Sequence, residues 1–454
     1  MKNSAQLINF FNAVFSLFKG PTMRVLYDLT YATRGKSGIP KDTKQVALAL
    51  SRTNSIKTDF FLSPKRMLGF KFFNSKDSHW SSSYINASLN DDPGRLQFPR
   101  LISLIGLARS AVTLRRKVTA KRMNSEQSEN ILSHVLDLEG QFPKNEINSV
   151  LISPIPLQAR FARPKRLGLF KLNTKSYDFF IQQQVDPIKV SRGTLHVIRL
   201  HDFLPIQFPQ YFDALSVKVF AESLEKMIAE NDKFWVFDSK ETADQFKKHF
   251  GEHKTFAIPC AIQTNLLPKI RKKNQILMVN TIEPRKRIEL AIQSFLEAKR
   301  RKYIDSTWRL KIIGANGWLQ DDLYSNLKAG RYGKDVIFIS NATDFEITLA
   351  YSESKILFST SKAEGFGLPP LEGLNHGCLP LISDIPQHRE TIRDFGIYFD
   401  SSETEQIAEL IGHASARTAK LTESKRDRMR KYILDSFSPE VIQRKWEKFL
   451  FEIA

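Results

Sequence analysis

Short apolar runs alternate with longer stretches of helical spacing along most of this chain. Runs at residues 24–28, 149–153, 194–200 and 234–238 read as buried parallel strands. A loop containing Gly35 and Gly38 follows the first, and then a helix predicted from about Asp42 to Arg52; another helix is predicted from Glu241. A second set of strands opens at residues 276–279 and continues through 310–313, 336–339 and 355–359, with helical stretches between. Strands that alternate with helices in this way describe doubly wound α/β sheets. The pattern breaks around residues 259–274, where proline, polar residues and a basic run intervene. At the end, Ile442, Trp446, Phe449, Leu450 and Ile453 make one apolar stripe at helical spacing.

The chain has 454 residues, more than one ordinary core accommodates, and two domains of about 200 residues each are expected. The predicted division is 1–22, an amphipathic segment; 23–262, a first domain with an insertion near 63–148; 263–436, a second domain; and 437–454, a final helix. The insertion has mixed short segments with no repeat. Cys260 and Cys378 lie far apart without metal-ligand spacing, which fits a reducing cytoplasm and ordinary packing. The formal net charge is +20, gathered in clusters at residues 115–122, 160–171, 270–273 and 299–302. Together they favour an acidic surface or a polyanionic partner, although each cluster alone also fits a solvated face. Residues 7–18 are apolar but far short of the ~20 needed to span a bilayer. Their stripe of Ile8, Phe11, Val14, Phe15 and Phe18 fits either packing on the protein or a flat seat on a membrane.

Chemistry concentrates in residues 364–372, Glu-Gly-Phe-Gly-Leu-Pro-Pro-Leu-Glu. A strand ending in a glycine turn that opens a helix presents unpaired backbone N–H groups and a positive dipole end to an anion. Glu364 falls in the turn and Glu372 about two helical turns further on, so the two carboxylates serve different parts of one ligand. The alternative is a plain loop with both glutamates solvated. A lone Gly-x-Gly is weak, but Gly377, Pro380, Glu390 and residues 396–399 extend the pattern. From about Gln275 to Phe399 the sequence resembles the retaining glycosyltransferases of family four. Those enzymes have the GT-B fold, two facing Rossmann-like domains with a cleft between them.

The resemblance implies that Glu364 addresses a donor sugar and Glu372 the ribose of a nucleotide. Backbone around Gly365, Phe366 and Gly367 would lie near the diphosphate or sugar. Lys286 in Glu283-Pro-Arg-Lys-Arg287 would pair with the diphosphate, with Arg285 beside it, although Asn280-Thr281 replaces an arginine common in relatives. His201, just after a strand, would orient the sugar. Gly35, Gly38 and Ile39 would face the cleft, with Pro40 removing one backbone donor. Asp344 is expected to cap a helix, and His376 and His388 to be structural. No metal motif stands out and no cofactor is expected; the co-substrate is a nucleotide sugar, GDP-mannose as a first guess. The expected enzyme is cytoplasmic and metal-independent, peripheral on the inner face of the cell membrane. It passes a sugar to a glycan or lipid-linked glycan and binds no nucleic acid. The rival is an inactive GT-B scaffold that holds nucleic acid or another polyanion.

Overall fold

The computed structural model describes residues 22–33, 38–63, 119–136, 149–153, 169–264, 267 and 270–454. Gly35, the stripe at 7–18 and most of the 63–148 insertion lie outside the described residues. Chain order gives β1 (Met23–Asp28), β2 (Ile56–Leu62), β3 (Lys121–Arg122), β4 (Val150–Ile152), β5 (Phe170–Lys171), β6 (Phe179–Gln183), β7 (Ile188–Lys189), β8 (Leu195–Arg199), β9 (Lys233–Phe237) and β10 (Lys254–Ala257). The first sheet runs β10-β9-β8-β6-β1-β2-β4-β3, and β5 pairs with β7 apart from it. All its pairings are parallel except β3 with β4. The second sheet takes β11 (Lys273–Val279), β12 (Arg309–Ile313), β13 (Val336–Ile339), β14 (Ser354–Ser359), β15 (Leu379–Ser383) and β16 (Ile397–Phe399). It is parallel throughout, in the order β13-β12-β11-β14-β15-β16.

That order places the functional crevice. From β11 the chain winds outward through β12 and β13, then returns to β14 and winds the other way. In open α/β sheets ligands bind beyond the carboxyl ends of the strands where the direction switches, and here those ends are the loops after β11 and β14. Both sheets are covered by helices, among them α1 (Gly38–Ser51), α2 (Lys240–Phe250), α3 (Ile288–Arg300), α4 (Asp344–Glu353), α5 (Leu368–Asn375), α6 (Pro386–Ile392), α7 (Glu423–Phe437) and α8 (Pro439–Ile453).

Two local expectations need correction. Helix α1 starts at Gly38, four residues before the predicted Asp42, because Pro40 sits in the first turn where its missing N–H costs nothing. Gly38 and Ile39 are therefore helical and not loop, and Asp42 is buried inside the helix. Helix α4 is capped by Thr343 in a reciprocal capping box with Glu346, which leaves Asp344 in the first turn.

The end of the chain packs on both sheets. Met429, Ile433 and Phe437 of α7 join the core formed by Phe366, Leu371 and Leu374. After Ser438, the stripe of Ile442, Trp446, Phe449 and Leu450 on α8 enters the core of the first sheet beside Val46 and Phe234. Trp446 is fully buried there.

Candidate active site

The loops after β11 and β14 are bonded to each other through backbone and side chains. Pro284–Lys286 form one tight turn, ended by Arg287 in the left-handed region at φ 48°. Thr360 Oγ1 donates to the Lys286 carbonyl at 2.6 Å, Arg287 Nε donates to the Thr360 carbonyl at 2.6 Å, and Lys362 N–H donates to the Arg285 carbonyl at 2.8 Å. This registration sets Glu364 directly against two cations. Lys286 Nζ lies 2.5 Å from Glu364 Oε1, and Arg285 Nη1 lies 2.8 Å from Oε2. Arg285 also reaches Glu283 Oε1 at 2.8 Å through Nη2.

The electrostatics follow from burial and sign. Burial works to raise the Glu364 carboxyl, but Lys286 and Arg285 outweigh it and hold the group well below the usual carboxylate range. Burial and the neighbouring Arg285 push the Lys286 ammonium below its ordinary value despite Glu364. Burial raises Glu283. The site is thus a buried cluster of tightly paired charge, with a lysine whose charged form burial opposes.

Glu372 projects from α5, which opens at Gly367 in the left-handed region at φ 87° with prolines in its first turn. Tyr351 donates its hydroxyl to Glu372 Oε2 at 2.7 Å, and Lys41 of α1 places Nζ 3.4 Å from Oε1 across the cleft. A cavity of about 350 Å³ opens between the domains here, lined by Lys41, Asp344, Thr348, Tyr351 and Glu372 among others. Tyr351 and Lys41 were not legible as site residues. Tyr351 comes from the helix before β14, and Lys41 is brought in only by the facing domain.

At Gly365 the two domains come into close backbone approach. A Cβ there would meet the His201 carbonyl oxygen at 2.6 Å, and the Gly365 carbonyl accepts from Ser239 Oγ at 3.2 Å and Thr242 Oγ1 at 3.1 Å. Phe366 buries its ring against Phe437. Gly38 lies under Leu368, where a Cβ would approach Cδ1 to 3.1 Å, and the Ile39 carbonyl accepts from Thr43. Of the two histidines expected to be structural, His376 stacks on Tyr351, and buried His388 bonds the Ser383 carbonyl through Nδ1.

His201 sits at the cleft wall, but its ring turns into the first domain. Nδ1 is 2.8 Å from Asp238 Oδ2 and Nε2 is 3.0 Å from Gln183 Oε1. With both nitrogens committed, the ring as placed does not offer the expected hydrogen bond to a donor sugar. Asp238 was missed, although it follows β9 just as His201 follows the adjacent β8, the position where α/β sites gather.

Two facing Rossmann-like α/β domains with a charged crevice at the carboxyl ends of their strands define the GT-B class of protein. Residues 264–434 match the family described as glycosyl transferases group 1. The serotype-specific mannosyltransferase WbdA of Escherichia coli is 25% identical over 254 residues, half of this chain and 30% of that protein. The O-antigen chain mannosyltransferase RfbU of Salmonella typhimurium is 26% identical over 204 residues, 44% of this chain and 55% of that one. The chain therefore spans about a third to a half of the length of these relatives. Among solved structures, sucrose-phosphate synthase from Thermosynechococcus elongatus superposes with a TM-score of 0.59 at 12% identity, over 95% of this chain and 99% of that one. TarM superposes with a TM-score of 0.56 at 12% identity, over 94% and 98%.

Proposed function

We propose that the chain is a retaining, metal-independent glycosyltransferase that moves a sugar from a nucleotide sugar to a glycan or lipid-linked glycan in cell-surface polysaccharide synthesis. The carrying observation is the cluster in which Glu364 meets Lys286 and Arg285, with Glu372 on the following helix α5, all inside the segment that matches the family. Mannosyltransferases among the relatives, two of them of the O-antigen chain, support mannose as the sugar, with GDP-mannose the first donor to try.

In this reading the second domain holds the donor and the first receives the acceptor. Lys286, Arg285 and the opening turn of α5 neutralise the departing diphosphate, the work that a divalent ion performs in other sugar transferases. Glu364 holds sugar hydroxyls and stabilises positive charge at the anomeric carbon. In this reading no side chain serves as a covalent nucleophile. The acceptor hydroxyl accordingly attacks from the face of the leaving phosphate, and that phosphate takes its proton. The enzyme works at the cytoplasmic face of the membrane as a peripheral protein.

Purified protein incubated with a panel of nucleotide sugars, with and without a chelator, tests the whole reading. Nucleoside diphosphate release from one donor, unaffected by chelation, and a product of unchanged anomeric configuration by NMR are expected. No release from any donor, together with no nucleoside diphosphate binding by calorimetry, would sink it.

A further inference from the structure

The hydrogen-bond partners of His201 fix its protonation. Tyr27 Oη lies 3.0 Å from the Thr43 carbonyl oxygen, an acceptor with no proton of its own, so the tyrosine must donate. The tyrosine oxygen then accepts from Gln183, which turns the amide nitrogen toward Tyr27 and the amide oxygen Oε1 toward His201. His201 Nε2 faces that acceptor at 3.0 Å, and Nδ1 faces the Asp238 carboxylate at 2.8 Å. Each ring nitrogen meets only an acceptor. A neutral imidazole, with one bare nitrogen, would leave a lone pair against a lone pair inside a buried site.

We infer that Gln183 and Asp238 are positioning residues that hold His201 as a doubly protonated imidazolium, a fixed cation at the cleft wall. The ring is then unable to accept the proton of an incoming hydroxyl. The inference deepens the proposed transferase and rests on that reading for its role in turnover. It leaves the donor phosphate as the acceptor of that proton. The ring also anchors the end of β8, so that the His201 carbonyl stays against Gly365 of the facing domain.

The charged surroundings agree in sign. Asp238 follows β9, Asp42 of α1 lies 3.8 Å from Nε2, Arg199 ends β8, and Asp202 is the next residue in the chain. Burial and Arg199 oppose the charge on His201, but Asp238 and Asp42 outweigh them and raise its proton affinity above the usual histidine value. Burial lifts the Cys260 thiol well above its ordinary range, so it stays neutral. Asp42, His201, Asp238 and Cys260 bring ligand atoms within 4.8 Å of one another, a spacing that would suit a metal ion. Arg199 already supplies the positive charge there. Its Nε is 3.1 Å from Asp42 Oδ2, and its Nη2 is 2.7 Å from Asp238 Oδ1 and 3.7 Å from Cys260 Sγ. An imidazolium has no lone pair to add to such a set.

The test is nitrogen-15 histidine NMR on the full chain, with the His201 signals assigned by their loss in His201→Asn. Two ring N–H groups and imidazolium-type nitrogens are expected to persist past the ordinary histidine titration near ~6.5. Gln183→Met and Asp238→Asn should each shift loss of the second proton to lower pH. Transfer at about pH 8 should fall roughly ten- to a hundredfold in Gln183→Met, with the alkaline limb of its pH profile moved the same way. A bare ring nitrogen in the wild-type protein at about pH 7 overturns the inference. An unshifted titration in Gln183→Met overturns the part assigned to Gln183. The wild-type spectrum decides alone should a variant fail to fold. Because that spectrum needs no turnover, it separates failure here from failure of the transferase reading.

Discussion

Lys286 is a buried ammonium whose charge is opposed by burial and by Arg285 and only partly restored by Glu364. An incoming diphosphate changes that balance, because added negative charge favours the ammonium form. The sign is definite: at alkaline pH, above the lowered Lys286 value and below the value restored by the ligand, nucleotide binding must take up a proton. Calorimetry in buffers of different ionisation enthalpy should reveal the uptake, and Lys286→Ala should abolish it while costing ~1.5–3 kcal/mol of affinity. Equal enthalpies in all buffers would remove Lys286 from the diphosphate site. The two glutamates should separate under the same measurement. Glu372 is held by Tyr351 and Lys41 from outside the charged cluster, so Glu372→Ala should weaken binding of free nucleoside diphosphate. Glu364→Ala should leave that binding largely intact and damage transfer from the complete nucleotide sugar. Equally poor binding by both variants, with full turnover at saturation, would refute the division.

At the scale of elements, the glycine turn between β14 and α5 is shaped by the opposite domain as much as by its own helix. Gly365→Ala would drive a Cβ to 2.6 Å from the His201 carbonyl, backbone that cannot swing aside. The domains would have to part there, while Lys286, Glu364 and Glu372 all stay within the second domain. Turnover should therefore fall at least ~10-fold through misplacement of the acceptor side, with nucleoside diphosphate affinity close to wild type. A matching loss of affinity would show the turn itself to be damaged. Legibility in the sequence divides along the same line. Strands β11 to β14 appear as clean apolar runs, and Glu364, Lys286 and Arg285 belong to two compact motifs that topology sets in contact. The patterning leaves out β2, β6 and β10. Asp59 in β2 and Gln182 and Gln183 in β6 interrupt the apolar pattern, yet they are buried and satisfied by hydrogen bonds. Tyr351, Lys41, Gln183 and Asp238 escaped notice because each acquires its role from a partner remote in sequence.

Across the whole molecule, the two domains meet through contacts on several sides of the cleft. Glu390 of α6 accepts from the backbone N–H groups of Lys240 and Glu241 at 2.8 Å each, at the start of α2, where a carboxylate suits the helix dipole. Trp318 donates to the Tyr211 carbonyl at 2.6 Å and stacks on Phe212, and α8 returns the chain end to the first domain. None of the described helices is long and apolar enough to cross a membrane. In the proposed reading a lipid-linked acceptor is met at the membrane surface, and the net charge of +20 has the sign that an anionic leaflet attracts. We propose that residues 7–18, outside the described residues, supply the apolar part of that association. Each basic residue near the leaflet adds ~1 kcal/mol, a contribution that salt screens. Liposome flotation should then show binding that rises with anionic lipid, falls with salt and weakens when residues 1–19 are deleted. If neither lipid charge nor the deletion altered flotation, the apolar stripe would belong to intramolecular packing and the acceptor would be a soluble glycan.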